Sequence, residues 1–428
     1  MAVGWDVVVV GAGAAGLLAA IRAAERGRRT LVLEKNARPG VKILLSGGTR
    51  CNLTHAADPR AIAEAFGRQG RFLHSALAAF GPQQAIALVE SEGMATKVET
   101  GGKVFPASDR AADVLEAILR RARRSGAHIA LQEPLLRLER GPDAFRLTTS
   151  LRQLVAGSVI LATGGMSYPR CGTTGDGYGW AAELGHRIVT PRPALTPILT
   201  DRTWTEDLQG VSLPDVLVRV VAPRGGQVPG PGAGRAPDKG SAGKPLAWSR
   251  GSLLFTHFGL SGPVVLNVSR AVSGCDRPET LQLLCDLLPG TSQASLESWL
   301  RESRSRDGAK QLGTILAERL PRRLGQALAE AAGVGAERRA AEAGKQELRS
   351  LAECVKRLCV PVRGVMGFRK AEVTAGGVCL DDVDSRSMQS KRVPRLYFAG
   401  EILDLDGPIG GYNFQAAFST GWQAGQSA

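Results

Sequence analysis

The hydrophobic and polar positions at the start of the chain predict a strand, a turn, a helix and a second strand. An unbroken apolar run at residues 7–10 has the length and continuity of a buried strand. It leads into a turn at 11–16 with glycine at three of its six positions, and then into an alanine- and leucine-rich helix over 17–25. A second strand at 30–33 ends in Glu34. This order of elements is typical of a dinucleotide-binding unit.

The residue types in this turn fit a nucleotide. Gly11 allows the tight turn, Gly13 lets a pyrophosphate approach the backbone, and Gly16 lets the helix pack close to the strand. The helix N-terminus offers free N–H groups and a partial positive charge, so a phosphate binds there without a cationic side chain. Glu34 follows at about the 20-residue distance at which a carboxylate accepts hydrogen bonds from ribose hydroxyls. We therefore predict a nucleotide site without a 2′-phosphate.

Alternating strand and helix patterns continue to about residue 190 and predict an α/β domain. A long loop is expected at 35–55. Helices are expected around 73–92 and 109–125, and strands at 128–138, 145–149 and 158–162. The last strand runs into Thr163, Gly164 and Gly165, where small residues let the backbone pass close to a ligand.

The middle of the chain changes character and predicts an insertion. Short apolar runs separated by Pro and Gly predict β structure, and helical composition follows. The expected parts are a nucleotide-binding domain at 1–190 and 366–428, a β domain at 191–290 and 359–365, and a helical insert at 291–358. The segment 222–244 is rich in Gly, Pro and Arg, which predicts a mobile loop.

Composition narrows the function classes. No apolar stretch reaches the roughly 18–20 residues that cross a bilayer, so we expect a cytoplasmic protein without a membrane anchor. The seven cysteines include no C-x-x-C pair, which predicts free thiols and neither a disulfide framework nor a metal site. The net charge of +14 has two interpretations, a solvated arginine-rich surface or a nucleic-acid partner. The arginines are not interleaved with aromatic residues, which favours the first.

Three longer motifs carry a specific resemblance. They are GVKILLSGGTRCNLT at 40–54, TAGGV at 374–378 and LYFAGEILDLDGPIGGYNFQ at 396–415. They resemble the BaiN/aminoacetone-oxidase-like family of FAD-binding flavoproteins, and the resemblance covers nearly the whole chain. It implies a Rossmann-like FAD-binding domain of the two-dinucleotide-binding-domain type, with an inserted β-barrel and helical domain. Family patterns more often place glycine where this chain has Thr49.

The resemblance also implies which residues hold FAD. The first turn would bind the pyrophosphate, Glu34 the adenosine ribose, and the backbone at 411–414 the N1 and O2 edge of the flavin. A helix N-terminus there would stabilise the negative charge of a reduced flavin. The full expected set is Gly11, Gly13, Ala14, Ala15, Gly16, Glu34, Lys35, Lys42, Ser46, Gly47, Gly48, Arg50, Cys51, Asn52, Leu135, Thr163, Gly164, Gly165, Gly400, Glu401, Asp406, Gly411, Tyr412, Asn413 and Phe414.

Three residues are candidates for catalysis, each with a plainer alternative. Cys51 is a redox-active thiol or a small packing residue beside the cofactor. Lys42 neutralises phosphate or lies near flavin N5. His257 is a general acid or base over the substrate, or orients its loop.

The resemblance implies an FAD-dependent oxidoreductase in which hydride is transferred at flavin N5. We expect NADH or NADPH to reduce the flavin, which then reduces a small organic substrate. The chain has no second G-x-G-x-x-G for a nicotinamide nucleotide, so this reductant would dock transiently. The alternatives are an amine oxidase of the aminoacetone-oxidase type that uses oxygen, and an RNA-associated flavoprotein.

Overall fold

The structure, a computed structural model, describes residues 4–201, 206–222 and 244–428. It divides the chain into two compact units, one of residues 1–192 and 372–428 and one of residues 193–371. The expected three-part division stays a prediction. Apart from its two end residues, the segment 222–244 lies outside the described residues, and so does the prediction of its mobility.

The first unit is built on a seven-stranded sheet with the order β6-β2-β1-β9-β8-β7, in which β18 also pairs with β9. Strands β6, β2, β1, β9 and β18 run parallel, whereas β7 and β8 form an antiparallel extension. The described strands of this unit, with β10 ending just beyond it, are β1 (Gly4–Val10), β2 (Thr30–Leu33), β3 (Thr54–His55), β4 (Thr96–Val98), β5 (Lys103–Pro106), β6 (His128–Ala130), β7 (Leu135–Arg140), β8 (Phe145–Thr149), β9 (Gln153–Leu161), β10 (Ile188–Ala194), β17 (Val373–Val378) and β18 (Leu396–Phe398).

The helices of this unit cover the sheet and share its hydrophobic core. They are α1 (Ala14–Glu25), α2 (Val41–Thr49), α3 (Pro59–Ala65), α4 (Gly70–Ala79), α5 (Pro82–Glu90), α6 (Ala111–Ser125), α7 (Asp176–Glu183) and α13 (Tyr412–Ser427). Helices α1 and α13 pack closely, because a Cβ on Gly421 would lie 2.2 Å from the Ala15 carbonyl oxygen and one on Gly425 2.2 Å from that of Ala19. The prediction of one long loop at 35–55 is wrong, since α2 and β3 lie within it.

The second unit contains a closed six-stranded barrel with the order β11-β14-β13-β12-β15-β16, which confirms the predicted barrel. Alternate residues of β12, among them Val216, Val218 and Val220, are fully buried and meet Val264 and Val268 of a helix in one core. The elements are β11 (Ile198–Thr200), β12 (Ser212–Val221), β13 (Ala247–Thr256), β14 (Gly259–Ser261), α8 (Pro263–Ser273), β15 (Gln282–Asp286), α9 (Gln293–Arg306), α10 (Leu312–Leu316), α11 (Arg322–Ala331), α12 (Lys345–Lys356) and β16 (Leu358–Val365).

Within the described ranges no single helix has the length and hydropathy of a membrane span, and only the bent pair Gly67–Ala79 and Pro82–Glu90 passes that test of length and composition.

Candidate active site

Three loops of the first unit begin at one edge of its sheet. Leu161 at the end of β9 pairs with Val10 at the end of β1 on one side and with Phe398 at the end of β18 on the other. The glycine turn after β1, the loop after β9 and the short helix Gly400–Ile402 after β18 therefore start side by side. In open α/β sheets, ligands bind at this carboxyl edge of the strands.

The glycine turn has two crowded positions and one open position. A Cβ on Gly11, where φ is +104°, would lie 2.6 Å from the Ala162 carbonyl oxygen, and one on Gly16 would lie 1.8 Å from that of Gly11. A Cβ on Gly13 would meet no atom within 4 Å. The backbone of Gly13 therefore borders open space at the N-terminus of α1, as a bound pyrophosphate requires.

The Glu34 carboxylate fixes the turn from the end of β2. Its side chain is 7% exposed. One oxygen accepts a hydrogen bond from the Ala12 N–H at 2.9 Å, and the other accepts one from the Asn36 N–H at 2.8 Å. An ionised carboxylate has about four acceptor positions, so each oxygen keeps one for a ribose hydroxyl.

A half-buried ion pair joins α2 to the loop after β18. Lys42 Nζ lies 2.5 Å from a carboxylate oxygen of Glu401, and the two side chains are 25% and 19% exposed. Lys42 also donates to Ser167 Oγ at 2.6 Å, and the Ser167 hydroxyl donates to the second oxygen of Glu401 at 2.7 Å. The Thr374 N–H donates to that same oxygen at 2.9 Å. The Lys42–Glu401 pair therefore connects four separate segments of the first unit.

The loop after β9 is held against β17 by a threonine hydroxyl. Thr374 Oγ1 accepts hydrogen bonds from the N–H groups of Met166 at 2.8 Å and Ser167 at 3.1 Å. A Cβ on Gly165 would lie 2.4 Å from this hydroxyl oxygen, which accounts for glycine at that position. Ser167 and Thr374 were absent from the predicted site. Their positions in the sequence could have identified them as site residues, since Ser167 follows the end of β9 by six residues and Thr374 is the first residue of the TAGGV motif.

Helix α2 is broken in its second half by left-handed backbone. The φ angles of Gly47, Gly48 and Thr49 are +57°, +67° and +70°. Glycine adopts such angles at little cost, whereas a β-branched residue is strained there. Gly47, Gly48 and Thr49 are exposed, and a Cβ on Gly48 would meet no atom within 4 Å.

Asn52 connects this turn to the N-terminus of α13. With its amide oriented so that the oxygen faces Gly411, it accepts from the Gly411 N–H at 3.1 Å and donates to the Thr54 carbonyl at 2.9 Å. Helix α13 has no acidic residue in its first turn, and its N-cap Gly411 makes no side-chain cap. The N–H groups that follow Gly411 in the first turn have no intrahelical acceptor, so they favour a negative group at this end of the helix.

The side chains of several predicted cofactor residues have protein partners. The Tyr412 ring stacks on His55 with centroids 4.7 Å apart, and Asn413 holds the loop before α13 by donating to the Gly407 carbonyl at 2.9 Å. Arg50 forms ion pairs with Glu99 and Asp109 and lies over the Phe105 ring. Ser46 donates to the Ile43 carbonyl at 2.7 Å, Phe414 packs against the core, and Leu135 and Asp406 are buried. The proposed contacts of these residues with FAD stay predictions.

Lys35 joins the adenosine side of the predicted site to the turn before α7. Its ammonium lies 2.5 Å from an Asp176 carboxylate oxygen and 2.6 Å from Thr174 Oγ1. Burial opposes ionisation of Asp176, but hydrogen bonds from Lys35 and Thr174 hold the pKa of this carboxyl below its ordinary value.

The setting of Cys51 argues against a nucleophilic role, whereas the role expected of His257 stays a prediction. Cys51 is fully buried, and burial raises the pKa of its thiol to about 12, so the nucleophilic thiolate is absent near neutral pH. His257 is exposed in the turn between β13 and β14 of the second unit, with its ring against Phe258. Lys42 is the candidate that the structure places in a network at the strand ends.

These features fit a dinucleotide cofactor. Gly13 leaves room for a pyrophosphate, Glu34 keeps acceptor positions for a ribose, and the first turn of α13 favours negative charge. Thr163 Oγ1, two residues after the end of β9, is buried and has no hydrogen-bond partner in the described part of the chain, as expected of a group that awaits a ligand. The described residues include no cluster of three or more His, Cys, Asp or Glu side chains that could hold a metal ion.

Comparison with known proteins decides the family. The model of the HI0933-like protein Rossmann domain family matches residues 5–427. The chain belongs to this family. This chain is an FAD-dependent oxidoreductase, as its BaiN-like motifs implied.

Among individual proteins, the chain is 32% identical over 426 residues to the "Ribosomal RNA dihydrouridine synthase" of Escherichia coli K12, covering 99% of this chain and 97% of that one. It is 31% identical over 422 residues to the Haemophilus influenzae protein of the same name, covering 97% and 96%. It is also 29% identical over 423 residues to the "3-dehydro-bile acid delta(4,6)-reductase" of Clostridium scindens, covering 98% of each.

Proposed function

We propose that this HI0933-like protein reduces the C5=C6 double bond of a uridine in ribosomal RNA, with FAD as cofactor and NADH or NADPH as electron donor. The observation that carries this proposal is the similarity, at 32% identity across 99% of the chain, to an Escherichia coli protein named ribosomal RNA dihydrouridine synthase. A dihydrouridine is a uridine that has gained one hydrogen at C5 and one at C6.

The reaction class is supported by a second relative with a different substrate. The Clostridium scindens protein is named as a delta(4,6)-reductase of a 3-dehydro-bile acid. The C5=C6 bond of uracil is conjugated with the C4 carbonyl, and a delta-4 bond beside a 3-oxo group is conjugated in the same way. Both names therefore describe the addition of two hydrogens to a carbon–carbon double bond that a carbonyl activates.

The charge of the chain is compatible with an RNA substrate. The net charge is +14. Arg38, Arg68 and Arg71 are exposed, and none of them pairs with an acidic group among the residues that the structure describes. Unpaired surface arginines attract phosphate, and such binding weakens steeply as salt rises. The sequence alone favoured a small-molecule substrate, and the two relatives named for ribosomal RNA shift the preference.

The residues of the first unit have distinct parts in this proposal. FAD, when bound and reduced, supplies hydride at N5. The turn at 11–16 and Glu34 would hold its adenosine diphosphate half. The Lys42–Glu401 pair and Thr374 keep α2 and the loops after β9 and β18 in fixed positions at the strand ends. A preorganised site of this kind avoids reorganisation during the reaction.

The test is anaerobic incubation of the FAD-loaded protein with unmodified ribosomal RNA and either NADH or NADPH, followed by mass spectrometry of the nucleosides. Dihydrouridine that forms with one donor supports the proposal and identifies the donor. A G13A variant, which we expect to lack FAD, is the control. No dihydrouridine in any ribosomal RNA would contradict the proposal.

The similarity to the Clostridium scindens protein favours a small enone as second candidate. Salt distinguishes the two. Dihydrouridine formation should fall steeply between about 50 and 200 mM salt, because RNA binding releases counterions. Reduction of a neutral 4-en-3-one steroid should change little over the same range.

A further inference from the structure

A tyrosine and a glutamate form a pair beside the Lys42–Glu401 network. The Tyr168 hydroxyl donates to a carboxylate oxygen of Glu372 at 3.0 Å. Tyr168 lies in the loop after β9, directly after Ser167, and Glu372 directly precedes β17. Both side chains are partly buried. The pair therefore lies where the loops of the candidate active site meet, and no part of the proposed cofactor site uses it.

The backbone of Tyr168 is held in an uncommon conformation. Its φ is +53°, in the left-handed region that aromatic residues rarely adopt. The Cys171 N–H donates to the Tyr168 carbonyl at 2.8 Å, and Thr173 Oγ1 donates to the same oxygen at 3.1 Å. On the other side, the Ser167 N–H is held by Thr374. Strained residues that persist because neighbours hold them are concentrated at active sites.

The surroundings favour the protonated form of both groups. Burial raises the pKa of the Glu372 carboxyl, against the opposing effects of the Tyr168 hydrogen bond and the Lys42 charge, while Glu401 adds to the increase. Burial and the neighbouring Glu372 charge raise the pKa of Tyr168 above its ordinary value, with a smaller contribution from Cys171. The phenol donates to Glu372 in the structure, but whenever Glu372 carries a proton the carboxyl is able to donate to the Tyr168 oxygen, which frees the phenolic proton for another acceptor. Two neighbouring groups that both favour the protonated form are suited to donate a proton.

We infer that Tyr168, supported by Glu372, is the acid that protonates the substrate during reduction of the double bond. This inference rests on the proposed function. The carbon remote from the carbonyl, C6 of uracil, would receive the hydride that FAD supplies. The π electrons of the broken double bond form a new C–H bond at C5 with the Tyr168 proton. The Tyr168 oxygen regains a proton from Glu372, and Glu372 regains one from water.

The test compares Y168F and E372Q with Y397F. Tyr397 is a suitable control because its hydroxyl donates to the Ser427 carbonyl at 2.8 Å and takes no part in the network. General acids contribute about 10²- to 10⁴-fold to a rate. We expect Y168F to form dihydrouridine at least about 100-fold more slowly, with unchanged FAD affinity, flavin spectrum and reduction by the nicotinamide donor. Y397F should match the wild type in its rate of dihydrouridine formation, FAD affinity, flavin spectrum and reduction by the donor.

Two further measurements separate acid catalysis from a structural role. The wild-type rate should fall as pH rises through the raised pKa of Glu372, because the carboxyl then loses its proton, whereas E372Q should be slower and lack that fall. Tyrosinate absorbance of the apoprotein during an alkaline titration should show one tyrosine ionising at a lower pH in E372Q than in the wild type, since the negative charge of Glu372 is absent from the variant.

The outcomes distinguish this inference from the proposed function. A wild-type protein that forms dihydrouridine together with a Y168F variant of equal rate would overturn the role of Tyr168 and leave the proposed function intact. A wild-type protein that forms no dihydrouridine in any ribosomal RNA would overturn both. A slow Y168F variant with an intact flavin-reduction step supports both.

Discussion

Replacement of Glu34 by glutamine tests the cofactor site most directly. The wild-type carboxylate uses one oxygen for the Ala12 N–H and the other for the Asn36 N–H, at 2.9 and 2.8 Å. Glutamine has nearly the same shape but only one acceptor oxygen. Its NH₂ group would therefore face either a backbone N–H or a ribose hydroxyl that needs an acceptor. The substitution changes hydrogen bonding with little change in volume.

The expected magnitude follows from these contacts. A hydrogen bond to a charged group contributes about 1.5–3 kcal/mol. If one such bond to the ribose is lost, FAD should bind roughly 10- to 150-fold more weakly, at about 1.4 kcal/mol per tenfold change. The assay is titration of the apoprotein with FAD, followed by flavin fluorescence or calorimetry.

D382N is the matched control for E34Q. Asp382 is also buried and accepts from a backbone N–H, that of Arg187 at 2.8 Å, and from Arg392 at 2.8 Å. It is not part of the nucleotide turn. FAD affinity of D382N should therefore stay near the wild-type value. The reasoning is refuted if E34Q binds FAD within about threefold of the wild type, or if D382N weakens FAD binding equally.

Three further predictions concern the same unit. G13A should fold normally and lose FAD, because its methyl group meets no protein atom within 4 Å but enters the expected pyrophosphate space. G16A should instead destabilise the apoprotein, since its Cβ would lie 1.8 Å from the Gly11 carbonyl oxygen. Thermal melts and FAD titrations of both variants check this, and equal melting temperatures of the G13A and G16A apoproteins would contradict it. T49G should raise the melting temperature of the apoprotein, because relief of left-handed strain, about 1–2 kcal/mol, exceeds the entropic cost of glycine, about 0.5–1 kcal/mol. A lower melting temperature would show that the backbone of Thr49 is not strained. Cys51 should resist iodoacetamide at pH 7 to 8 in the native protein, because burial raises the pKa of its thiol to about 12 and the reactive thiolate appears only as pH approaches that value. The partly exposed Cys275 should be alkylated under the same conditions. Peptide mass spectrometry measures both, and rapid labelling of Cys51 would refute its burial.

Much of the cofactor unit was predictable because its signals are local. The apolar run of β1, the glycines of the turn and Glu34 lie within about 30 residues, and each follows from the geometry of one short segment. The β structure of the insertion was also predictable, since short apolar runs broken by Pro and Gly identify it, and the family resemblance implied the barrel. Helix α2 was missed because Ser46, Gly47 and Gly48 interrupt it and are residue types that are common in loops.

The sequence by itself determined the family, the cofactor class and the strand–turn–helix–strand order at the start of the chain, because each of these is encoded by residues that lie close together along the chain. Only the tertiary structure decided which side chains share a site. Lys42 meets Ser167 and Glu401 across separations of 125 and 359 residues, and Tyr168 meets Glu372 across 204. The parallel pairing of β1, β9 and β18 brings their carboxyl ends to one edge, and the segments that carry Lys42 and Glu372 meet the loops of that edge only in the folded chain. No local pattern of residues specifies that meeting.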